Sequence, residues 1–258
     1  MMDESKTFLY TNRINTGDFM MLREVSWFDL KGTITDDTVA VIPVGSTEQH
    51  GPQNPLGTDH MIAERIAAGV KDEAVITPTV PVGYSEHHRQ FPGTLWVSPQ
   101  VLTDYVLDIC KSLQYHGFKK ILIVNGHGGN TFPLMIAAMK MRQQGVFVGI
   151  HEWWRASKEE DAHAGSGETS LNLYLYEHLV HMERAKDSST EWSPPLHGTK
   201  IWYDTIDFSD DGTVGRPTRA TKGKGEVLYK DAVTQLKETI KYVKETPLED
   251  LLCKERVT

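Results

Sequence analysis

Val39-Ala40-Val41-Ile42-Pro43-Val44-Gly45 followed by Ser46-Thr47-Glu48-Gln49-His50-Gly51-Pro52 decides the fold. The first half is a short, continuous apolar run, which reads as a buried strand over 39–45. A second such run, Lys119-Lys120-Ile121-Leu122-Ile123-Val124, predicts a strand over 119–124, and Val146-Phe147-Val148-Gly149-Ile150-His151-Glu152 predicts one over 146–152. Residues 74–82 form a weaker candidate, because Pro78 and Pro81 imply an edge position or an early exit. Between these runs the apolar spacing is helical, over 61–70, 99–116, 131–144, 168–182 and 224–244. Ser98 and Pro99 are placed as N-cap and first helical residue of the second of these, and Gly117 ends it. Strands alternating with helices imply an α/β protein, a mostly parallel sheet with helices on both faces. Residues 187–223 are richer in Pro, Gly, Ser and Asp and read as an irregular excursion within one domain spanning 1–258.

Composition narrows the function. A chain of 258 residues with 39% hydrophobic and 24% charged residues is long enough for a sizeable core and is ordinary for a soluble protein. A formal charge of −8 leaves no basic surplus for nucleic acid or an anionic membrane surface. No apolar run approaches bilayer length, and Met1-Met2-Asp3-Glu4-Ser5-Lys6 lacks the order of a secretory signal. Cys110 and Cys253 are expected as reduced thiols of a cytoplasmic protein.

The second half of the opening stretch carries the chemistry. In an extended segment alternate side chains share a face, so Glu48 and His50 point together with Gln49 turned away. Asp59 of Gly57-Thr58-Asp59-His60 returns to them after a Gly/Pro-rich turn. Two carboxylates and an imidazole are a mixed O/N set suited to zinc, manganese or iron. An E-x-H pair alone is equally what a surface carboxylate beside a hydrogen-bonded histidine looks like.

Ligands of open parallel sheets collect beyond the carboxyl ends of the strands. Two polar loops start there: Ser46–His60, and Asn125-Gly126-His127-Gly128-Gly129-Asn130. The second fits metal ligation by His127, a structural turn, or a phosphate cradle, although it lacks the dinucleotide fingerprint and the P-loop lysine. A third cluster, Asp161-Ala162-His163-Ala164-Gly165-Ser166-Gly167-Glu168, puts Glu168 in the first turn of a helix, where a carboxylate serves equally as ligand or cap. His163 precedes a flexible Gly-Ser-Gly, placed either as an acid/base over the site or as a solvated loop histidine.

Taken in order, these pieces resemble the creatininase (creatinine amidohydrolase) family. The matching motifs are Gly-Ser-Thr-Glu48-Gln-His50-Gly-Pro, Gly-Thr-Asp59, Phe91-Pro92-Gly93-Thr94-Leu95, Asn125-Gly126-His127-Gly-Gly-Asn130 and His163-Ala-Gly-Ser-Gly-Glu168-Thr-Ser170, with a weaker match at Gly215-Arg216-Pro217-Thr218 and Gly225. The resemblance implies a three-layer α/β/α sandwich, two divalent metal ions per chain and a homohexamer. It implies Glu48, His50, Asp59 and His127 as ligands, Asp59 as the bridge and His163 as the proton-transfer residue. It also implies a substrate contact at Ser85. Gly128 of the glycine loop is a further expected contact, and Trp153 and Trp154 are expected either as pocket wall or as partial core. One departure stands out: creatininases carry a glutamate two residues after the loop histidine, where this chain has Gly129. Glu168 is the natural substitute, and creatinine itself is not the expected substrate.

Two ions sharing Asp59 would lower the pKa of a bridging water, and its hydroxide would attack a carbonyl polarised by one of them. His163 would protonate the departing nitrogen. The expected reaction is hydrolysis of a C–N bond in a small cyclic amide or formamide. The alternatives are a hydrolase or isomerase of an oxidised inositol or sugar ring, which inward-pointing Arg89, Arg216 and Arg219 would favour, a peptidase of a cofactor precursor, and a binding protein that keeps only the fold.

Overall fold

The computed structural model describes residues 20–156, 162–188 and 202–252. Its centre is a parallel sheet of five strands: β1 (Met20–Met21), β2 (Val39–Val44), β3 (Val75–Ile76), β4 (Lys120–Asn125) and β5 (Phe147–Glu152). Their spatial order is β1-β3-β2-β4-β5. β2 and β4 pair along their full lengths, from Val39 opposite Lys120 to Val44 opposite Asn125. Both are buried throughout, as their unbroken apolar runs require.

Alternation along the strands divides the core in two. Val39 and Val41 of β2, with Leu122 and Val124 of β4, pack under α2 (Thr58–Ala68), α5 (Ser166–Tyr176) and α6 (Lys222–Glu245). Ala40, Ile42 and Val44, with Ile121 and Ile123, pack on the other face against α3 (Pro99–Tyr115) and α4 (Thr131–Arg142). The result is the expected three-layer sandwich. Each fully buried Ile or Leu contributes roughly 1.5–3 kcal/mol, so the two facing cores dominate the stability.

Local signals set the helix ends. Ser98 Oγ accepts from Val101 N–H at 3.3 Å, with Pro99 at the first helical position. α6 starts two residues before its expected position, capped by Thr221, whose hydroxyl accepts from Lys224 N–H at 3.2 Å. Gly225 lets α6 cross α5 in contact: a Cβ there would stand 1.9 Å from the Ser170 carbonyl oxygen. α5 ends at Tyr176, short of the expected 182, and runs on as a 3₁₀ turn over Glu177–Leu179. β3 is only two residues long; beyond it the chain still pairs, Val80 N–H donating to Pro43 O at 2.9 Å, but Pro78 and Pro81 break the ladder. Before α6 begins at Lys222, the described part of the 187–223 excursion holds only 3₁₀ turns, Thr205–Asp207 and Pro217–Arg219. Two one-turn helices, α1 (Trp27–Leu30) and α7 (Leu248–Leu251), and the edge strand β1 are too short to announce themselves by periodicity.

The strand order reverses at β2: the chain steps to β3 on one side, then to β4 on the other. That reversal opens a crevice between the carboxyl ends of β2 and β4. The loops leaving β2, β3, β4 and β5 surround it.

Candidate metal centre

Glu48 lies at the bottom of this crevice, fully buried. Around its Oε1 stand His127 Nδ1 at 3.1 Å, His88 Nε2 at 3.2 Å and His163 Nδ1 at 3.7 Å. Neither oxygen of Glu48 receives a hydrogen bond of acceptable geometry among the described residues. A buried carboxylate with two bare oxygens is costly unless a cation or proton satisfies it.

Asp59, in the first turn of α2, divides its oxygens between two histidines. Oδ1 is 2.9 Å from His50 Nε2, and Oδ2 is 3.3 Å from His127 Nδ1. Glu168 Oε2, from the first turn of α5, approaches the same His50 nitrogen at 3.8 Å. Among the described residues, the groups whose ligand atoms all lie within 4.8 Å of one another are Glu48–His50–Asp59, His50–His163–Glu168 and Glu48–His88–His163; pairwise contacts trace two donor sets, Glu48–His127–Asp59 and His50–Asp59–Glu168, sharing Asp59. In each, the far nitrogen of the histidine donates to a backbone carbonyl: His127 Nε2 to Tyr84 O at 3.0 Å, His50 Nδ1 to Glu48 O at 3.1 Å. A carbonyl can only accept, so the nitrogen facing the carboxylates is the one without that proton in a neutral ring, the arrangement of metal-binding imidazoles. The donor set therefore fits a divalent metal ion.

Electrostatics agree. Burial disfavours charge on His50, yet Asp59 and Glu168 prevail and push it up to about 10. Burial likewise opposes charge on His127, and Glu48 and Asp59 hold it well above the ordinary range. Against the cost of burial, His127 and His88 hold Glu48 well below the usual carboxylate range. His163 goes the other way: burial first, then the neighbouring His50 and His88, keep it neutral.

Glu168 also serves as the cap that its position suggested, accepting from Ala164 N–H at 2.7 Å. Ala164 takes φ +57° in the left-handed region, fully buried, and its carbonyl accepts from Gln53 Nε2 at 2.9 Å. This strained turn holds His163 and Glu168 on the same side of the crevice.

Above the cluster opens a cavity of about 1130 Å³. Its walls include Tyr84, His87, Phe132, Trp153, Trp154, Trp202 and Tyr203, and its floor includes Asp59, His127, Gly128, His163 and Glu168. Trp153 is both wall and core, 3% exposed and packed with the α6 layer. Gly128 faces open space, with nothing within 4 Å of a Cβ built there. Ser85 lies behind this wall rather than on it: fully buried, its hydroxyl accepts from Ser46 Oγ at 2.8 Å and donates to Leu95 O at 3.0 Å. Arg89 turns away to clasp Asp204, and Arg216 and Arg219 are exposed, so none of the three lines the cavity; Arg155 at its rim does.

Several participants escaped the sequence reading. Gln49 is not turned to the outside: it is buried, its side-chain nitrogen 2.7 Å from His88 Nδ1 and 2.8 Å from His163 Nε2. The β-alternation fails there because 45–57 is a loop, not a strand. His87 and His88 belong to the loop after β3, whose prolines hid the strand. His87 stacks on His127 at 5.5 Å and meets Trp202 edge-on at 5.8 Å. Burial, then His88 and His127, push His87 down to about 3, so it is neutral at physiological pH.

The Creatininase family model, described as creatinine amidohydrolase, matches residues 23–240. This chain belongs to the creatininase family. Among curated members it is 33% identical over 212 residues to the mycofactocin precursor peptide peptidase of Mycolicibacterium smegmatis, covering 79% of this chain and 84% of that protein. It is 28% identical over 242 residues to the 3-dehydro-scyllo-inosose hydrolase of Thermotoga maritima, covering 80% and 77%. Creatininase in its manganese form has the same fold, with a TM-score of 0.75 at 24% identity over 89% of this chain and 100% of that one. The zinc–zinc form of a glutamate-to-glutamine creatininase variant gives 0.74 at 25% identity with the same coverage.

Proposed function

We propose that this creatininase-family protein is a divalent-metal-dependent amidohydrolase that cleaves a C–N amide bond of a substrate seated in the aromatic cavity. The observation that carries the reading is the pair of donor sets joined through Asp59, directly under that cavity. Glu48, Asp59 and His127 would hold one ion and His50, Asp59 and Glu168 the other, with zinc, manganese or iron all compatible with the O/N donors. When bound, such ions polarise a carbonyl and make water acidic enough to be a nucleophile near neutral pH.

The chain supplies the rest. His163 Nε2 donates to Gln49 O at 2.7 Å, which turns Nδ1, 3.7 Å from Glu48 Oε1, toward the cluster. Kept neutral by burial, that nitrogen takes a proton from the attacking water and passes it to the departing amine. Trp153 and Trp154 narrow one side of the cavity, their rings edge-to-face at 6.2 Å. The exposed backbone of Gly128 offers a polar contact where no side chain intervenes.

A cavity of about 1130 Å³ exceeds the roughly 300–1,000 Å³ typical of small-molecule sites, so it favours an amide larger than creatinine. A second reading follows from this and from the 33% identity to a precursor peptide peptidase: the scissile bond lies in a peptide. Ring chemistry on an oxidised inositol is less supported here, since Arg89, Arg216 and Arg219 stay out of the cavity. A homo-oligomer, by family a hexamer, is supported by the exposed apolar side chains Val101 and Tyr105 of α3 and Phe132, Met135 and Met139 of α4. Cys110 is buried, and Cys253 lies outside the described residues.

Protein loaded with Zn²⁺ or Mn²⁺ should release amine from at least one member of a panel of formamides, lactams and short peptides, and Glu48→Gln should abolish that release. A fully loaded enzyme inert on the whole panel, or an active Glu48→Gln protein, would overturn the proposal.

A further inference from the structure

Arg155 sits in the 3₁₀ turn Trp153–Ala156 that follows β5, directly after the two tryptophans of the cavity wall. Among the described residues it is the one lysine or arginine that lines the cavity. We propose that the amide substrate carries a carboxylate, which the Arg155 guanidinium receives at the cavity rim while the scissile bond lies on the floor. This inference rests on the hydrolase reading above and narrows its substrate class.

Three observations carry it. First, Arg155 is held in place without being used up. Its Nε donates to Glu152 Oε2 at 3.1 Å, and its side chain is 77% exposed. Neither terminal nitrogen has a hydrogen-bond partner among the described residues, so the Nη1–Nη2 edge is open. That edge is the fork that pairs with a carboxylate through two parallel hydrogen bonds. Second, its anchor is tied to the loop of the metal centre. The other Glu152 oxygen accepts from Thr131 Oγ1 at 2.6 Å, and Asn125 Nδ2 donates to that hydroxyl at 3.3 Å. Asn125 Oδ1 in turn accepts from His127 N–H at 3.1 Å. One chain of hydrogen bonds therefore joins the cation at the rim to the floor, so their spacing is set before a substrate arrives. Third, the cavity offers an anion little else. Its walls are aromatic, and His87 and His163 are kept uncharged, by burial above all. A single guanidinium beside Glu152 matches a singly charged group; a phosphate dianion would gather more donors than Arg155 alone supplies.

The test titrates the full chain, loaded with Zn²⁺, with N-acetyl-L-phenylalanine and with its primary amide, which lacks only the carboxylate. Calorimetry reads the dissociation constants in the wild type, Arg155→Gln and Arg155→Lys; the side chain is exposed, so both variants should fold. The wild type should bind the carboxylate about 10-fold more tightly than the amide, the yield of a charge-assisted pair at an exposed rim. Arg155→Gln should erase that preference. Arg155→Lys should keep only part of it, because an ammonium lacks the fork. A wild type that shows no preference, or binds neither compound, would overturn the role of Arg155. So would an Arg155→Gln protein that keeps the preference, since the carboxylate would then be landing on the metal. Amine release from the substrate panel is read separately. Release without the carboxylate preference overturns this inference alone, and preference without release overturns the hydrolase reading and leaves a carboxylate site.

Discussion

Restoring the creatininase carboxylate at Gly129 should damage this centre rather than complete it. A Cβ at Gly129 would stand 2.4 Å from Tyr84 O and 2.5 Å from His127 Nε2. Those two atoms are partners in the 3.0 Å hydrogen bond that orients the His127 ring. Forcing a side chain between them costs about 1–3 kcal/mol as overpacking, and breaking the bond costs about 1–3 kcal/mol more. Gly129→Glu and the minimal Gly129→Ala should therefore both lose roughly 2–6 kcal/mol of stability, or roughly 4–24 °C in Tm for a chain of this size. With His127 no longer held by Tyr84 O, affinity for the first ion should fall by about 10–100-fold. Urea denaturation of the metal-stripped protein and chelator competition with Zn²⁺ measure the two effects separately. A Gly129→Glu protein as stable as the wild type, with Zn²⁺ bound more tightly, would refute the steric reasoning and show that the loop has room for the missing ligand.

Metal uptake should expel protons. His50 is pushed up to about 10 and so is protonated at pH 7, whereas a cation takes the neutral ring, so affinity should rise with pH until His50 is already neutral. Calorimetric titration in buffers of different ionisation enthalpy should show at least one proton released per chain at pH 7, and a buffer-independent heat would contradict the charge balance drawn here. Replacing Ala164 by Gly should relieve the left-handed strain at φ +57°, worth about 1–2 kcal/mol, against about 0.5–1 kcal/mol of added chain entropy. The variant should be as stable as the wild type or slightly more so by denaturant midpoint, and a loss above about 1 kcal/mol would mean that Ala164 is held there by packing of its methyl group.

The strands and helices were legible because the core is regular. Unbroken apolar runs marked β2 and β4, and a capped, amphipathic stretch marked α3. Glu48, His50, Asp59, His127 and Glu168 were legible because each follows a strand end or opens a helix, where side chains are aimed at the crevice by the backbone alone. His88, Gln49 and Thr205 were not, because long-range folding brings them in. Gln49 is turned inward by a loop that breaks the strand alternation, and its oxygen accepts from Gly51 N–H at 2.9 Å. His88 follows a strand that Pro78 and Pro81 cut to two residues. Thr205 reaches the site from 117 residues away in sequence. Ser85 shows the converse: a residue marked by resemblance that the fold uses to brace the loop, through Ser46 and Leu95, behind the cavity wall.

Anomalous diffraction from crystals grown with Zn²⁺, collected on both sides of the zinc edge, tests the metal centre directly. Two peaks per chain should appear beside Asp59, one within about 2.0–2.2 Å of Glu48 and His127 and the other within that distance of His50 and Glu168. Density at the zinc edge absent from this crevice, or lying only on surface histidines such as His181, would contradict it.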